Sequence, residues 1–153
     1  MSTLELKVPP PLVALLVALL MWLVADAMGS VEVPFAYRTS AAVALVLAGL
    51  AIRLAAQVTF WRAGTTINPT KPGHTSAVVS SGIYRHTRNP MYLGRAVQLL
   101  GWGAFLASPI AILLVSLYVA YVDRFQVAAE ERALRARFGA EYEAYQSKVS
   151  RWL

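Results

Sequence analysis

Three groups of side chains in this 153-residue chain have the types and spacing to do chemistry. The first runs from Gly82-Ile83-Tyr84 to Arg88-Asn89-Pro90-Met91-Tyr92 and Gly94. The second is the carboxylate pair Glu130-Glu131, and the third is the aromatic and basic tail Tyr142, Tyr145, Arg151 and Trp152. A guanidinium such as Arg88 can tie loop carbonyls or a carboxylate bidentately, or anchor to anionic lipid. Asn89 before Pro90 reads as a helix start, with Asn89 as N-cap, where free N–H groups can also face a ligand. Adjacent glutamates lie about 100° apart around a helix, so they cannot face one pocket equally. Glu131 has Arg135 one turn later as a surface partner, whereas Glu130 has Leu134 there. Glu130 is therefore favoured as a ligand and Glu131 as its supporting neighbour, the alternative being a solvated face for both. No metal site is expected: there is no cysteine, and His74 and His86 lack a partner histidine at ligand spacing. Without GxSxG, Walker or GxGxxG patterns, hydrolase, triphosphatase and dinucleotide-binding readings have no support.

The elements that must position these groups are apolar. The chain is 58% hydrophobic and only 14% charged, against about a quarter charged in a soluble domain. This composition argues against an ordinary soluble globule, a disordered tail and a nucleic-acid module. A net charge of +6 on such a chain points to lipid head groups rather than nucleic acid. Residues 8–25 are uncharged and read as a retained span rather than a signal peptide. A second span runs over 39–61, interrupted by Arg53, which either snorkels or contacts a bound polar group. A polar loop occupies 62–90. The uncharged run 96–122 is too long for one crossing, and Ala107-Ser108-Pro109 in its middle suggests a turn. Charge bias decides: Arg62, Lys71, Arg85, Arg88 and Arg95 mark the loop as cytoplasmic, and Arg124, Arg132, Arg135, Arg137, Lys148 and Arg151 mark the C-terminal segment likewise. An even number of crossings must separate them, so 91–122 is expected to be a hairpin, with Gly101 and Gly103 allowing close packing inside it. From 123 to 153, Leu134, Phe138, Tyr142, Tyr145, Val149 and Trp152 recur on one face, with a break at Gly139. The expectation is one all-α integral membrane domain over 1–153. It has four transmembrane helices (two within 1–61, a short hairpin over 91–122), cytoplasmic amphipathic C-terminal helices over 123–153, and both termini in the cytoplasm, as in a bacterial inner membrane.

Together, GIYRHTRNPMYLG, a hairpin and EERALRARFGAEYEAYQSKVSRWL resemble the isoprenylcysteine carboxyl methyltransferases, which look related to the phospholipid N-methyltransferases. The family pattern G-x-Y-x-x-x-R-H-P-x-Y-x-G, then E-E-x-x-L-x-x-x-F-G-x-x-Y-x-x-Y, is matched in order and spacing over about residues 64–153. The resemblance implies a membrane methyltransferase using S-adenosyl-L-methionine on an amphipathic or lipid-like acceptor, a prenylcysteine-type carboxylate being one candidate. It puts cofactor contacts at Ser76, Ala77, Val78, Val79, Tyr84, Asn89, Pro90, Met91, Tyr92, Glu130 and Glu131, and catalytic roles at Arg88, Asn89 and Glu130. Two positions depart from the family. Asn89 replaces its usual histidine and cannot act as a base. Gln126 stands where protein-methylating members have a substrate arginine; with Arg124, the nearest cation, it is the candidate substrate contact. The loss of a cation there weighs against a carboxylate acceptor. A membrane scaffold docking through its aromatic stripe, and a sterol-reductase-like enzyme using a nicotinamide cofactor, are the competing readings. Oligomeric state is left open.

Overall fold

Prolines set where most of the helices begin. The computed structural model describes residues 7–64 and 77–153. Helices α1 (Pro10–Met28), α3 (Pro90–Leu106) and α4 (Pro109–Leu113) each carry Pro in their first turn, where a missing N–H costs nothing and the fixed φ suits the helix. Helix α2 spans Phe35–Arg62, directly after Pro34. A one-turn 3-10 segment at Gly82–Arg85 precedes α3. Then come α5 (Val115–Val122), a π turn at Asp123–Val127, α6 (Ala128–Phe138) and α7 (Ala140–Gln146). Every regular element among the described residues is helical.

The run 96–122 is indeed broken into a hairpin. Ala107 adopts a left-handed conformation (φ +49°), and the Ser108 hydroxyl accepts a hydrogen bond from the Ala111 N–H. The expected count of four full spans is met only in part. Three helices are long and apolar enough to cross a membrane: Pro10–Met28, Phe35–Arg62 and the continuous Pro109–Phe138. Helix α3 has 17 residues, about 26 Å at 1.5 Å per residue, slightly short of the usual span. Nor does the chain break at 123. The π turn carries the helix on, so the second limb of the hairpin and α6 form one rod; an inserted residue shifts the hydrogen-bond register without ending it.

Glycines let the helices approach. A Cβ on Gly94 would lie 2.6 Å from the Gly49 carbonyl oxygen, so α2 and α3 cross at backbone contact. Gly101, expected inside the hairpin, faces α2 instead, at Ala42, Leu45 and Val46. Gly103 meets Ile112 of α4, as the hairpin requires, and Met21 of α1. The reason is that α3 packs between α2 on one side and α1 with the hairpin on the other. The core joins Met21, Leu99, Val115, Tyr118 and Val122, while Leu15, Leu16, Leu47 and Trp61 point outward and exposed.

Two ends can be told apart. At one, Val31 N–H donates to the Ala107 carbonyl, joining the first connection to the hairpin tip. At the other, Gln126 Nε2 donates to the Val8 carbonyl and Asn89 Nδ2 to the Arg151 carbonyl, gathering the start of α1, the start of α3 and the C-terminal tail.

Candidate functional site

At that second end the starts of α1 and α3 and the inner face of α6 enclose a cavity of about 240 Å³. One wall is the 3-10 turn. Gly82 has φ +57°, and a Cβ there would lie 2.7 Å from the Thr59 hydroxyl, so glycine permits both the turn and its approach to α2. The turn drives Tyr84 inward, buried and edge-on to Phe60 at 5.1 Å. The Tyr145 hydroxyl donates to the Tyr84 carbonyl at 2.8 Å, bringing α7 over the turn. Burial holds the Tyr84 and Tyr145 phenols well above their ordinary range, so both keep their protons.

The Thr87-Arg88-Asn89 segment is fastened by the C-terminal tail. Arg88 N–H donates to the Ser150 carbonyl (3.0 Å), and the Thr87 hydroxyl and Asn89 Nδ2 donate to that of Arg151 (3.2 and 2.9 Å). Asn89 does occupy the N-cap position, but its side chain makes no cap bond. It is used to hold the tail instead, a correction to the expected capping role.

The two glutamates are treated differently. Glu130 accepts a hydrogen bond from the Tyr92 hydroxyl at 2.6 Å. Glu131 is buried and lies between two guanidinium groups, 3.2 Å from Arg88 and bidentate with Arg151 at 3.0 and 2.5 Å. Arg151 also reaches both Asp123 oxygens, at 3.2 and 3.1 Å, and Trp152 Nε1 donates to the same carboxylate at 3.1 Å. Hydrogen bonding to Glu131 is the main reason the Arg151 guanidinium is held more firmly protonated than usual. The expected surface pair of Glu131 with Arg135 is absent. Arg135 donates to Gln146 at 2.8 Å, because α6 turns Glu131 inward and Arg135 out. Arg88 Nε is buried without a hydrogen-bond partner, while Nη1 is the atom that faces Glu131 in the ion pair.

Of the residues singled out from sequence, Ala77, Val78, Val79, Tyr84, Arg88, Asn89, Pro90, Met91, Tyr92, Glu130 and Glu131 all line this cavity. Ser76, like Lys71 and His74, lies outside the described residues. Arg124 and Gln126 are not brought to the cavity. Arg124 is exposed, and Gln126 is buried with its amide spent on the Val8 carbonyl at 2.8 Å, because the π turn aims it at α1. Pro10 and Pro11 of α1, Gln57 and Phe60 of α2 and Arg95 of α3 line it without having been assigned to a site, and so do Leu134 and, from the aromatic tail singled out above, Tyr142 and Tyr145. The last three belong to the amphipathic stripe, whose spacing signalled packing without saying what it packs around. Arg53, left open between two readings, lines the cavity too. Among the described residues no group of three or more His, Asp or Glu converges as a metal site.

Comparison with known proteins agrees on one family. The profile of a family described as phospholipid methyltransferase matches residues 37–141. The protein-S-isoprenylcysteine O-methyltransferase of Schizosaccharomyces pombe is 33% identical over 113 residues, 74% of this chain and 48% of that protein. Its namesake in Saccharomyces cerevisiae is 33% identical over 107 residues, 69% of this chain and 44% of that protein. An uncharacterized protein of Haemophilus influenzae is 41% identical over 63 residues, 41% of this chain and all of that protein. The chain thus spans about half the length of the two yeast enzymes it matches. No solved structure matches.

Proposed function

Since this chain belongs to the phospholipid methyltransferase family, we propose that it is a membrane-embedded methyltransferase that uses S-adenosyl-L-methionine and acts on an amphipathic acceptor. The observation that carries this reading is the convergence of the Arg88–Tyr92 segment with Glu130 and Glu131 on one cavity. The residues present fit the cofactor. Arg88 offers a buried Nε–H without a hydrogen-bond partner, suited to a carboxylate. Val78, Tyr84, Pro90 and Tyr92 offer an apolar and aromatic lining for a purine. Glu130, already oriented by Tyr92, can accept from ribose hydroxyls or face a cation. When bound, the cofactor supplies an electrophilic methyl group on a sulfonium, which needs no metal.

The chain's own contribution is positioning. Asn89, tied to the tail, fixes the start of α3, and Tyr92 fixes the Glu130 carboxylate. Arg151 and Arg88 hold Glu131 in the wall, so that α6 cannot rotate without breaking a desolvated ion pair. Holding acceptor and donor in line in a dry cavity is the main requirement of a direct displacement. In the membrane we assign four crossings, α3 completing the hairpin, with the end that carries this cavity and both termini in the cytoplasm.

Titration of the purified protein with S-adenosylhomocysteine tests the reading. Saturable binding is expected, together with transfer of labelled methyl from the cofactor into a component of a total membrane extract. Absence of binding would exclude the methyltransferase, and binding of NADPH instead would favour a reductase.

A further inference from the structure

Helix α2 has 28 residues and a length of about 42 Å at 1.5 Å per residue, against a hydrocarbon core of about 30 Å. Its first turns therefore reach head-group level, at the end of the molecule away from the cavity. Arg38 stands there, about 22 Å along the helix from Arg53 of the cavity wall. Its guanidinium lies over two rings, 5.2 Å from the centroid of Phe35 on its own helix and 5.6 Å from that of Phe105 on α3. Phe105 stacks on Trp102 at 5.7 Å, and the Trp102 indole N–H donates to the Ala18 carbonyl of α1 at 3.0 Å. Three helices thus share in placing this cation. Aromatic faces offset its charge but leave its in-plane N–H donors unanswered. Arg38 Nε and the adjoining Thr39 hydroxyl are both shielded from water and have no hydrogen-bond partner. Arg38 makes no ion pair among the described residues, and the first turn of α2 holds no acidic side chain. A buried donor without an acceptor is expensive, and here two lie side by side.

We propose that Arg38 and Thr39 bind the phosphodiester of a phospholipid head group in the leaflet at that end, as a resident lipid distinct from the methyl acceptor. A guanidinium is weakly hydrated, stacks on rings and presents a planar fork that matches phosphate, so the aromatic shelf leaves Arg38 oriented for such an anion. Membrane depth decides that the anion carries chains. Val43, Val46 and Leu47, further along α2, are apolar and exposed, as acyl chains running down from the head group require. The lipid would brace α2 against α3 beside the hairpin tip, where the Val31 N–H already meets the Ala107 carbonyl. This assignment needs α2 to cross the membrane and takes nothing from the chemistry of the cavity.

Native mass spectrometry of the detergent-solubilised full chain provides the test. The probes are dioleoyl phosphatidylglycerol, dioleoylglycerol, which keeps the chains without the phosphate, and glycerol phosphate, which keeps the phosphate without the chains. Phosphatidylglycerol is expected to bind about tenfold or more tighter than either of the others. Arg38→Gln should lose about tenfold of that affinity, and Arg38→Lys, which keeps the charge but not the fork, about threefold. Arg135→Gln removes the same charge from the surface of α6 at the other end and should change the affinity less than about twofold. Phosphatidylglycerol should also raise the melting temperature of the unmodified chain more than that of Arg38→Gln. Retention of full affinity by a folded Arg38→Gln variant overturns the proposal, and so does an equal loss in Arg135→Gln, since binding would then follow net charge alone. Glycerol phosphate binding as tightly as the lipid overturns it too, in favour of a soluble anion. If Arg38→Gln does not fold, Arg38→Lys decides: a loss of affinity supports the lipid site, and unchanged affinity overturns it.

Discussion

Neighbouring carboxylates on α6 have opposite local environments, and their substitutions should therefore fail differently. Glu131 neutralises two guanidinium groups, and Glu131→Gln would leave Arg88 facing a neutral amide at a buried position. Breaking such a pair costs several kcal/mol when fully buried. With Arg151 about one-third exposed, a loss of about 2–3 kcal/mol of stability is expected, seen as a lowered melting temperature. Glu130→Gln keeps an oxygen for the Tyr92 hydroxyl, so melting should change little. Its loss should appear as about 1.5–3 kcal/mol of cofactor affinity, the range for a charged hydrogen bond, measured by calorimetry with S-adenosylhomocysteine. Equal melting temperatures for the two variants would refute this division. The candidate glutamates were legible from their adjacency and from the family pattern. Which arginines hold Glu131 was not, because Arg88 and Arg151 are brought to it by the return of the tail rather than by helical spacing. Phenols give a pH signature. Tyr84 and Tyr145 have raised pKa values in the folded chain, from burial first. Their contribution is complete below the unfolded phenol value of about 10 and is lost as pH rises above it. The part of the tyrosinate absorbance that Tyr84→Phe and Tyr145→Phe variants lack should therefore appear together with unfolding on alkaline titration, not before it.

Among the elements, the tail at 150–152 has no regular structure yet fastens the start of α3 through main-chain carbonyls and α6 through one side chain. Removing the side chain and removing the segment should thus be separable. Arg151→Ala keeps the carbonyl that Thr87 and Asn89 use and should cost about 1–3 kcal/mol. Ending the chain after Val149 should cost more, and should also weaken cofactor binding, as read by melting and calorimetry on the same samples. The crossing of α2 over α3 makes another demand. Gly94→Ala would push a methyl group into the Gly49 carbonyl at 2.6 Å, an overpacking expected to cost about 1–3 kcal/mol. Helix starts were legible because proline punctuates them. The π turn was not, since nothing in Asp123-Arg124-Phe125-Gln126-Val127 distinguishes it from an ordinary helical turn.

For the molecule as a whole, the α1–α2 connection and the hairpin tip share one end, while the cavity, Val8 and Arg151 share the other. The chain contains no cysteine, so single-cysteine variants report its orientation without background. Ser30→Cys is expected to react with an impermeant thiol reagent only from outside intact cells, and Thr70→Cys only after the membrane is opened. Reaction of both from the same side would defeat the four-crossing assignment. That the two basic segments lie at one end of the molecule was legible from charge alone. What the sequence did not reveal is that Arg53 and Arg95, on different helices, line one cavity, because Arg53 looked like an isolated cost within its span and Arg95 was counted with the basic loop.

The hydrogen bond from Arg53 to Gln98 joins residues 45 positions apart, which gives it a meaning in time as well as in space. Ribosomes add roughly 5–20 residues per second, so Arg53 is made about 2–9 s before the glutamine that will accept from it. Over that interval the first two helices must hold an unpartnered cation at the bilayer, snorkelling or near water. The arrival of α3 converts the cation from a burden on insertion into a wall of the cavity. Closure waits longer still, until Gln126 reaches the Val8 carbonyl 118 positions back. The chamber is therefore among the last things the nascent chain completes, and a polypeptide halted within the hairpin has the arginines without the room they serve.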